Sequence, residues 1–334
     1  MATAVGAGAA VVLASWSGQS VRVPDVLAAL EDIRRSEPLP STRTSVLTLV
    51  LLADRAEEAA RAGAALHELG GRHPARAITV RTEEGEPGLD AEVRLMGAEV
   101  AGTSLWFEDV CLTVRGPAGD HLDSLLEPFT LAELPMVAWF VDRLPDPDDP
   151  VLRAADAVLV DARDLGEVEC LATLADVASS SVLLDLSWVR LRPWREQLAA
   201  LFDGPALRPF LDGVRSIEVS GKTGPSHLLA GWLSSRLGTP GRFVHLVEAE
   251  HVGVHIVAEH EGRTGHFEVA RPGGERTVRA SVAIEAGPRS DSVVVLPEAS
   301  PAWGVAEALS DLGRDPIYEQ SLDAALSIAA RSHP

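Results

Sequence analysis

The sequence predicts an α/β protein: a doubly wound, mostly parallel, Rossmann-like N-terminal sheet over residues 1–205, followed by a second, smaller α+β domain over residues 206–334. Three observations carry that expectation. Val46 to Leu52 is a continuous apolar run rich in β-branched and leucine residues, the composition of a strand buried on both faces of a parallel sheet. Strand-like and helix-like runs alternate from there to Ser179. Past Gly204-Pro205 that rhythm gives way to closely spaced short strands with glycine turns.

Val23 to Arg35 reads as the first helix, with Pro24 at an early helical position and Val26, Leu27, Leu30 and Ile33 at helical spacing; Pro38 and Pro40 end it. After the strand Val46 to Leu52, Asp54 is placed to cap an alanine-rich helix from Glu57 to Leu69, which Gly70-Gly71 stops before a strand at Ala77 to Arg81. The alternation continues as a strand at Leu105 to Val114, a helix at Asp120 to Leu126, strands at Met136 to Phe140 and Ala157 to Val160, and a helix at Glu167 to Ser179. Right-handed crossovers would wind these into one sheet. The loop Pro145 to Pro150 lacks a calcium-loop ligand spacing, so its acidity reads as solvation. Trp188 to Phe202 is an amphipathic helical segment closing the first domain. Beyond it come a strand at Val214 to Val219, a helix at Ser226 to Leu237 and short strands within Arg242 to Val269. Strands at Thr277 to Glu285 and Ser292 to Leu296 precede terminal helices at Ala302 to Leu312 and Leu322 to Ala330.

Composition narrows the function classes. The 334 residues suffice for two domains with separate cores, and the 46% apolar and 23% charged content is that of globular chains. Against 49 acidic residues there are 29 lysines and arginines, and the net charge of −20 repels phosphate backbones and anionic lipid. Neither nucleic acid nor a membrane is an expected partner. The apolar run Ala9 to Ala14 has no basic residue before it, the first being Arg22, so it does not read as a signal peptide. Two cysteines, Cys111 and Cys170, are too few for a disulfide framework, and a cytoplasmic location is expected.

The motifs that would carry chemistry are incomplete. Ser220-Gly221-Lys222-Thr223 lies between a strand and a helix, but Ser216 stands where a phosphate-binding loop needs its first glycine, and Thr223 or Ser226 reads better as a helix cap. The turn after the first buried strand is Ala53-Asp54-Arg55-Ala56, with none of the glycines that let backbone amides approach a pyrophosphate. The histidines His245, His251, His255, His260 and His266 fall on short strands without zinc spacing and read as exposed polar positions. Cys111 lies inside an apolar strand, and Cys170 follows two glutamates that would raise its pKa, so neither is a poised nucleophile. No cofactor, metal or catalytic residue is expected.

The run Asp185-Leu186-Ser187-Trp188-Val189-Arg190-Leu191-Arg192-Pro193-Trp194-Arg195 concentrates aromatic and guanidinium groups, the chemistry of interface hot spots and equally of a buried helix entrance. It resembles the Asp-x-x-Trp then R-x-P-W-R stretch of OpcA proteins. His73-Pro74-Ala75-Arg76, Asp90-Ala91-Glu92-Val93-Arg94 and Leu134-Pro135-Met136-Val137-Ala138-Trp139 agree with that family in the same order. The resemblance spans most of residues 20–205 and, more loosely, Leu228 to Leu237. It implies a non-catalytic factor that binds glucose-6-phosphate dehydrogenase and favours its active oligomer, serving the oxidative pentose phosphate pathway and NADPH supply. The residues it nominates for partner contact are Trp188, Arg192, Trp194 and Arg195, with His73 and Arg76 behind them. Some relatives are linked to thioredoxin control, but this sequence has no close cysteine pair and no thiol switch is expected. The competing reading is an α/β enzyme or sugar-phosphate or nucleotide binder whose site, drawing on His73 and Arg76, lies at the carboxyl ends of the first-domain strands.

Overall fold

The computed structural model describes residues 10–36, 45–69, 75–100, 103–131, 133–164, 168, 170–271, 277–296 and 300–332. The first part of the chain forms β1 (Val11–Gly18), α1 (Val23–Ser36), β2 (Leu47–Ala53), α2 (Ala56–Leu69), β3 (Ala75–Glu83), β4 (Gly88–Val100) and β5 (Thr103–Arg115). It continues through α3 (Leu122–Leu126), β6 (Met136–Phe140), α4 (Pro150–Ala154), β7 (Ala157–Val160), α5 (Cys170–Ser180), β8 (Val182–Asp185), α6 (Leu186–Arg190) and α7 (Arg192–Ala200). The remainder holds β9 (Val214–Gly221), α8 (Thr223–Leu237), β10 (Val244–Glu248), β11 (Gly253–His260), β12 (Arg263–Ala270), β13 (Thr277–Ile284), β14 (Arg289–Val295), α9 (Pro301–Leu309) and α10 (Pro316–Ser332).

Two compact units result, and the chain passes back and forth between them: unit 1 takes residues 1–160, 180–184 and 300–312, unit 2 the rest. Unit 1 is built on an eight-stranded sheet ordered β1-β4-β5-β3-β2-β6-β7-β8. Strands β5, β3, β2, β6 and β7 run parallel, and β2 and β6 are buried at every position, as expected for strands covered on both faces. Without β1 and β4 the order is that of a doubly wound fold, in which the strand sequence reverses direction between β2 and β6. The departure from the expected pattern lies between β3 and β5. No helix crosses there; β4 folds back antiparallel along the whole of β5, and β1 adds antiparallel to β4. Alternation in Asp90 to Met96, with Ala91, Val93 and Leu95 buried, is the signal for β4 that helix-strand counting passes over.

Under α1, whose Val26 and Leu30 are buried, sits an ion cluster. Arg76 Nε donates to Glu108 Oε2 at 2.7 Å, its Nη1 donates to the Phe129 carbonyl at 2.6 Å, and Arg34 pairs with the other Glu108 oxygen.

Unit 2 holds a six-stranded sheet ordered β10-β9-β11-β12-β13-β14, parallel only between β10 and β9. One face buries Ile217, Val219, Ile256, Phe267 and Val282. Helix α8 ends at Gly238 in the left-handed conformation, φ 57°, a common glycine stop. It packs so closely on α10 that a Cβ on Gly231 would fall 2.0 Å from the Ser321 carbonyl oxygen.

The segment expected as one helix from Trp188 breaks into α6 and α7 at Leu191, where Pro193 cannot supply an amide to continue the first. Helix α10 begins at Pro316, ahead of the expected Leu322, because Asp315 caps it: its Oδ1 accepts from the amides of Ile317 at 2.8 Å and Tyr318 at 3.1 Å. Neither Thr223 nor Ser226 caps α8; the Ser226 hydroxyl donates back to the Lys222 carbonyl at 2.7 Å.

Candidate functional site

In a doubly wound sheet, ligands bind outside the carboxyl ends of the strands where their order reverses. Unit 1 has a crevice of about 860 Å³ at that place, lined by the residues that follow β2, β3, β5 and β6. Its walls carry Asp54, Glu83, Glu84, Asp120, Asp146, Asp148 and Asp149 against a single arginine, Arg143, which is itself paired with Asp54 and Asp149. Such a surface repels a phosphate-bearing ligand.

The turn between β2 and α2, where a pyrophosphate would approach, already holds a carboxylate. Asp142, just beyond β6, turns its carboxylate across the reversal point onto the turn that leads from β2 into α2. Its Oδ1 accepts from the Asp54 amide and its Oδ2 from the Arg55 amide, both at 2.9 Å, and Arg55 Nε donates to Oδ2 at 3.1 Å. The side chain is only 2% exposed. Burial pushes the carboxyl up, but the two amides and Arg55 outweigh it and hold the group below its ordinary value. The Asp54 side chain, which the sequence suggested as the cap of α2, instead pairs with Arg143, and the carboxylate bound at this turn is that of Asp142. A dinucleotide does not fit here: its phosphates would have to displace a buried anion of the same sign and enter among carboxylates.

In unit 2, the signature run is a cross-link between helices. Asp185, at the end of β8, caps α6: its Oδ1 accepts from the Ser187 amide at 2.8 Å and the Ala162 amide at 3.1 Å. Tyr318 of α10 donates its hydroxyl to Asp185 Oδ2 at 3.1 Å. Asp185 is buried, and desolvation, helped by the charge of Asp161, raises its carboxyl to about 6 against the pull of the amides and Arg190. Burial likewise drives the Tyr318 hydroxyl well up. The Ser187 hydroxyl donates to Asp161 at 2.7 Å, and Arg190 pairs with the same carboxylate. Trp188 Nε1 donates to Asp315 Oδ2 at 2.8 Å, while the Arg195 guanidinium lies 3.4 Å over the Trp188 ring and donates to the Trp188 carbonyl at 2.8 Å. Burial is the main reason that Arg195 falls to about 10.

These positions bear on the nominated contact residues. Trp188 and Trp194 are buried at 7% and 5% exposure, Arg195 is stacked on Trp188, and Arg76 is buried in unit 1 against Glu108. Three of these four are buried, and Arg195 is half-buried. Arg192 is exposed. His73 lies outside the described residues. Sequence reasoning missed Asp142, Asp315 and Tyr318, whose partners are 87, 127 and 133 positions away. The chain's single tyrosine was the available hint.

A Cβ on Gly224 would fall 1.8 Å from the Ala162 carbonyl oxygen, so backbone already covers the first turn of α8 where a phosphate would approach. His255 stacks on His266 of the neighbouring strand, with Nε2 and Nδ1 3.2 Å apart. Among the described residues no group of three or more His, Cys, Asp or Glu side chains is arranged to hold a metal. No helix among them is long and apolar enough to cross a membrane.

Residues 66–179 match the family model described as glucose-6-phosphate dehydrogenase subunit N-terminal domain, and residues 181–322 match its C-terminal counterpart. This chain belongs to the OpcA family. Among curated relatives, the OxPP cycle protein OpcA of Nostoc punctiforme is 26% identical over 64% of this chain and 52% of its own length. That of Synechocystis is 26% identical over 49% of this chain and 37% of its own. The chain therefore spans about half the length of the first of these relatives and less of the second. Solved structures with a similar chain path include levoglucosan dehydrogenase with NADH, at 9% identity and TM-score 0.43 over 86% of this chain and 96% of that one. Gal80p of Saccharomyces cerevisiae aligns at 7% identity and TM-score 0.42 over 86% and 95%.

Proposed function

We propose that this OpcA-family chain binds glucose-6-phosphate dehydrogenase and favours its assembled, active form without turning over a substrate itself. Family membership supports the partner. The observation that supports the absence of turnover is the crevice of unit 1, where Asp142 stands on the amides a cofactor phosphate would need and carboxylates line the approach. A partner that binds the assembled enzyme better than its separated subunits shifts that equilibrium by its differential affinity alone, so no catalytic group is required.

The competing enzyme reading loses ground at the same place. Arg76, its named cation, is committed to Glu108 and the Phe129 carbonyl, away from the acidic crevice. Partner contact through Arg192 remains part of the proposal, with the buried tryptophans shaping the surface that presents it.

The deciding experiment mixes the protein with the dehydrogenase of the same source and follows NADPH production together with mass by light scattering. Activity rising with a heavier complex is the expected result. If neither changes, the assembly reading fails; if activity rises only on adding a sugar phosphate or nucleotide that this chain alone is shown to bind, the binder reading replaces it.

A further inference from the structure

The six-stranded sheet of unit 2 is covered on one face only. Apart from the buried Gly253, alternate residues opposite the buried set are exposed or half-buried, the pattern of an antiparallel sheet with an open side. The strand registers order that side into rows. One runs His245, Glu218, His255, Glu268, Ser281, Asp291 from β10 to β14. The next runs Val247, Ser220, Gly253, Ala270, Arg279, Val293.

The line between β11 and β12 is the middle of this sheet, with three strands on each side. Folding the first row about that line sets His255 against Glu268, His245 against Asp291, and Glu218 against Ser281. Folding the second sets Val247 against Val293, Ser220 against Arg279, and Gly253 against Ala270. Imidazole and hydroxyl donors meet carboxylates, valine meets valine, and no like charges meet. In the second row the smallest side chains, Gly253 and Ala270, fall beside the axis. A two-fold axis along that line, in the plane between two facing sheets, performs this folding between two molecules, so the patch is complementary to itself.

We propose that the open face of this sheet docks a second copy of the same chain, β11 of each molecule lying over β12 of the other. The pattern of charge across the rows suits such a contact. Two copies of a chain with net charge −20 repel one another, whereas in these rows each carboxylate faces an imidazole or a hydroxyl and Arg279 faces Ser220, so no carboxylate meets another. Size is sufficient. Six strands about 4.8 Å apart and up to 8 residues long at about 3.4 Å per residue cover roughly 650 Å² on each copy, or roughly 1,300 Å² together, above the ~1,000 Å² of a stable interface. The contact also covers Val293 and Val247, 61% and 43% exposed, which otherwise meet water.

The test uses the full chain alone, so its result is independent of whether the dehydrogenase is the partner. Light scattering between about 1 and 100 μM should give twice the 35.4 kDa of one chain. His255→Glu, which sets carboxylate against carboxylate, and Val293→Arg, at a position too exposed to matter for folding, should each weaken the dimer at least about tenfold with unchanged circular dichroism. The double variant His255→Glu with Glu268→His should recover it. A wild-type chain that stays monomeric, or a dimer that neither variant weakens, overturns the proposal. So does hydrogen exchange on β11 and β12 that slows on adding the dehydrogenase but not on raising the chain's own concentration.

Discussion

Replacing Asp185 with Asn tests the reading of the buried cross-link in unit 2. The carboxyl titrates near pH 6 when folded, against 3.8 ordinarily, because burial and the neighbouring Asp161 disfavour its charge. Between those values the folded chain binds the proton more tightly than the unfolded one. The stabilisation linked to this group is therefore fully present below pH 3.8 and is lost as pH rises through 6, a difference of roughly 3 kcal/mol between pH 3 and pH 7. Asn cannot ionise. Its carbonyl oxygen keeps the bonds from the Ser187 and Ala162 amides, and the Tyr318 hydroxyl turns to accept from its amino group. Urea titrations at several pH values, read by tryptophan fluorescence, give both stabilities. The wild-type minus Asp185→Asn difference should fall by roughly 3 kcal/mol from pH 3 to pH 7, mostly between 4 and 6. A difference flat across that window would refute the assignment of the proton to Asp185, since every other titrating group is common to both chains.

Three further outcomes follow from the same structure. Arg76→Ala should destabilise by about 3 kcal/mol in denaturant titrations, the low end for breaking a buried pair because Arg34 still faces Glu108; an effect on dehydrogenase binding without loss of stability would instead make Arg76 a contact residue. Gly231→Ala puts a methyl group 2.0 Å from the Ser321 carbonyl, and thermal unfolding should show a loss of about 2–4 kcal/mol as α8 and α10 separate. Burial, then Asp109, pushes the Cys111 thiol up to about 12, so at pH 8 its thiolate is about a thousandfold scarcer than in the unfolded chain. Peptide mass mapping after brief iodoacetamide treatment should find Cys111 unmodified until urea is added, and rapid labelling of the native protein would reopen the question of a thiol switch.

The parallel core was legible because its signal is local: seven consecutive buried residues in β2 can hardly be anything but a strand covered twice. The long arm of β4 was not, because Asp90, Glu92 and Arg94 break the apolar run and only the intervening residues are buried. Asp185 and Asp315 lie beside the helices they cap, yet the sequence pattern places those helices at Trp188 and Leu322, later than their starts at Leu186 and Pro316. The signature tryptophans show the opposite limit. Trp and Arg in one short run suit a protein interface or a helix entrance equally, and what decides is burial against Asp315 and Tyr318, which no spacing within residues 185–195 encodes.

Asp142 carries the same lesson into function. Read along the chain, it is one acidic residue after a strand, and the turn it caps already looks unsuited to phosphate because it lacks glycine. Folding makes the case stronger than the missing glycines could. A turn without glycine can still present amides, and here Asp54 and Arg55 do present theirs, to a carboxylate supplied across the reversal point of the sheet. The anion-binding property of the doubly wound fold is thus retained and used internally, to tie β6 to α2. That internal use of the turn is the physical ground on which the proposed assembly role stands ahead of a phosphate-binding one.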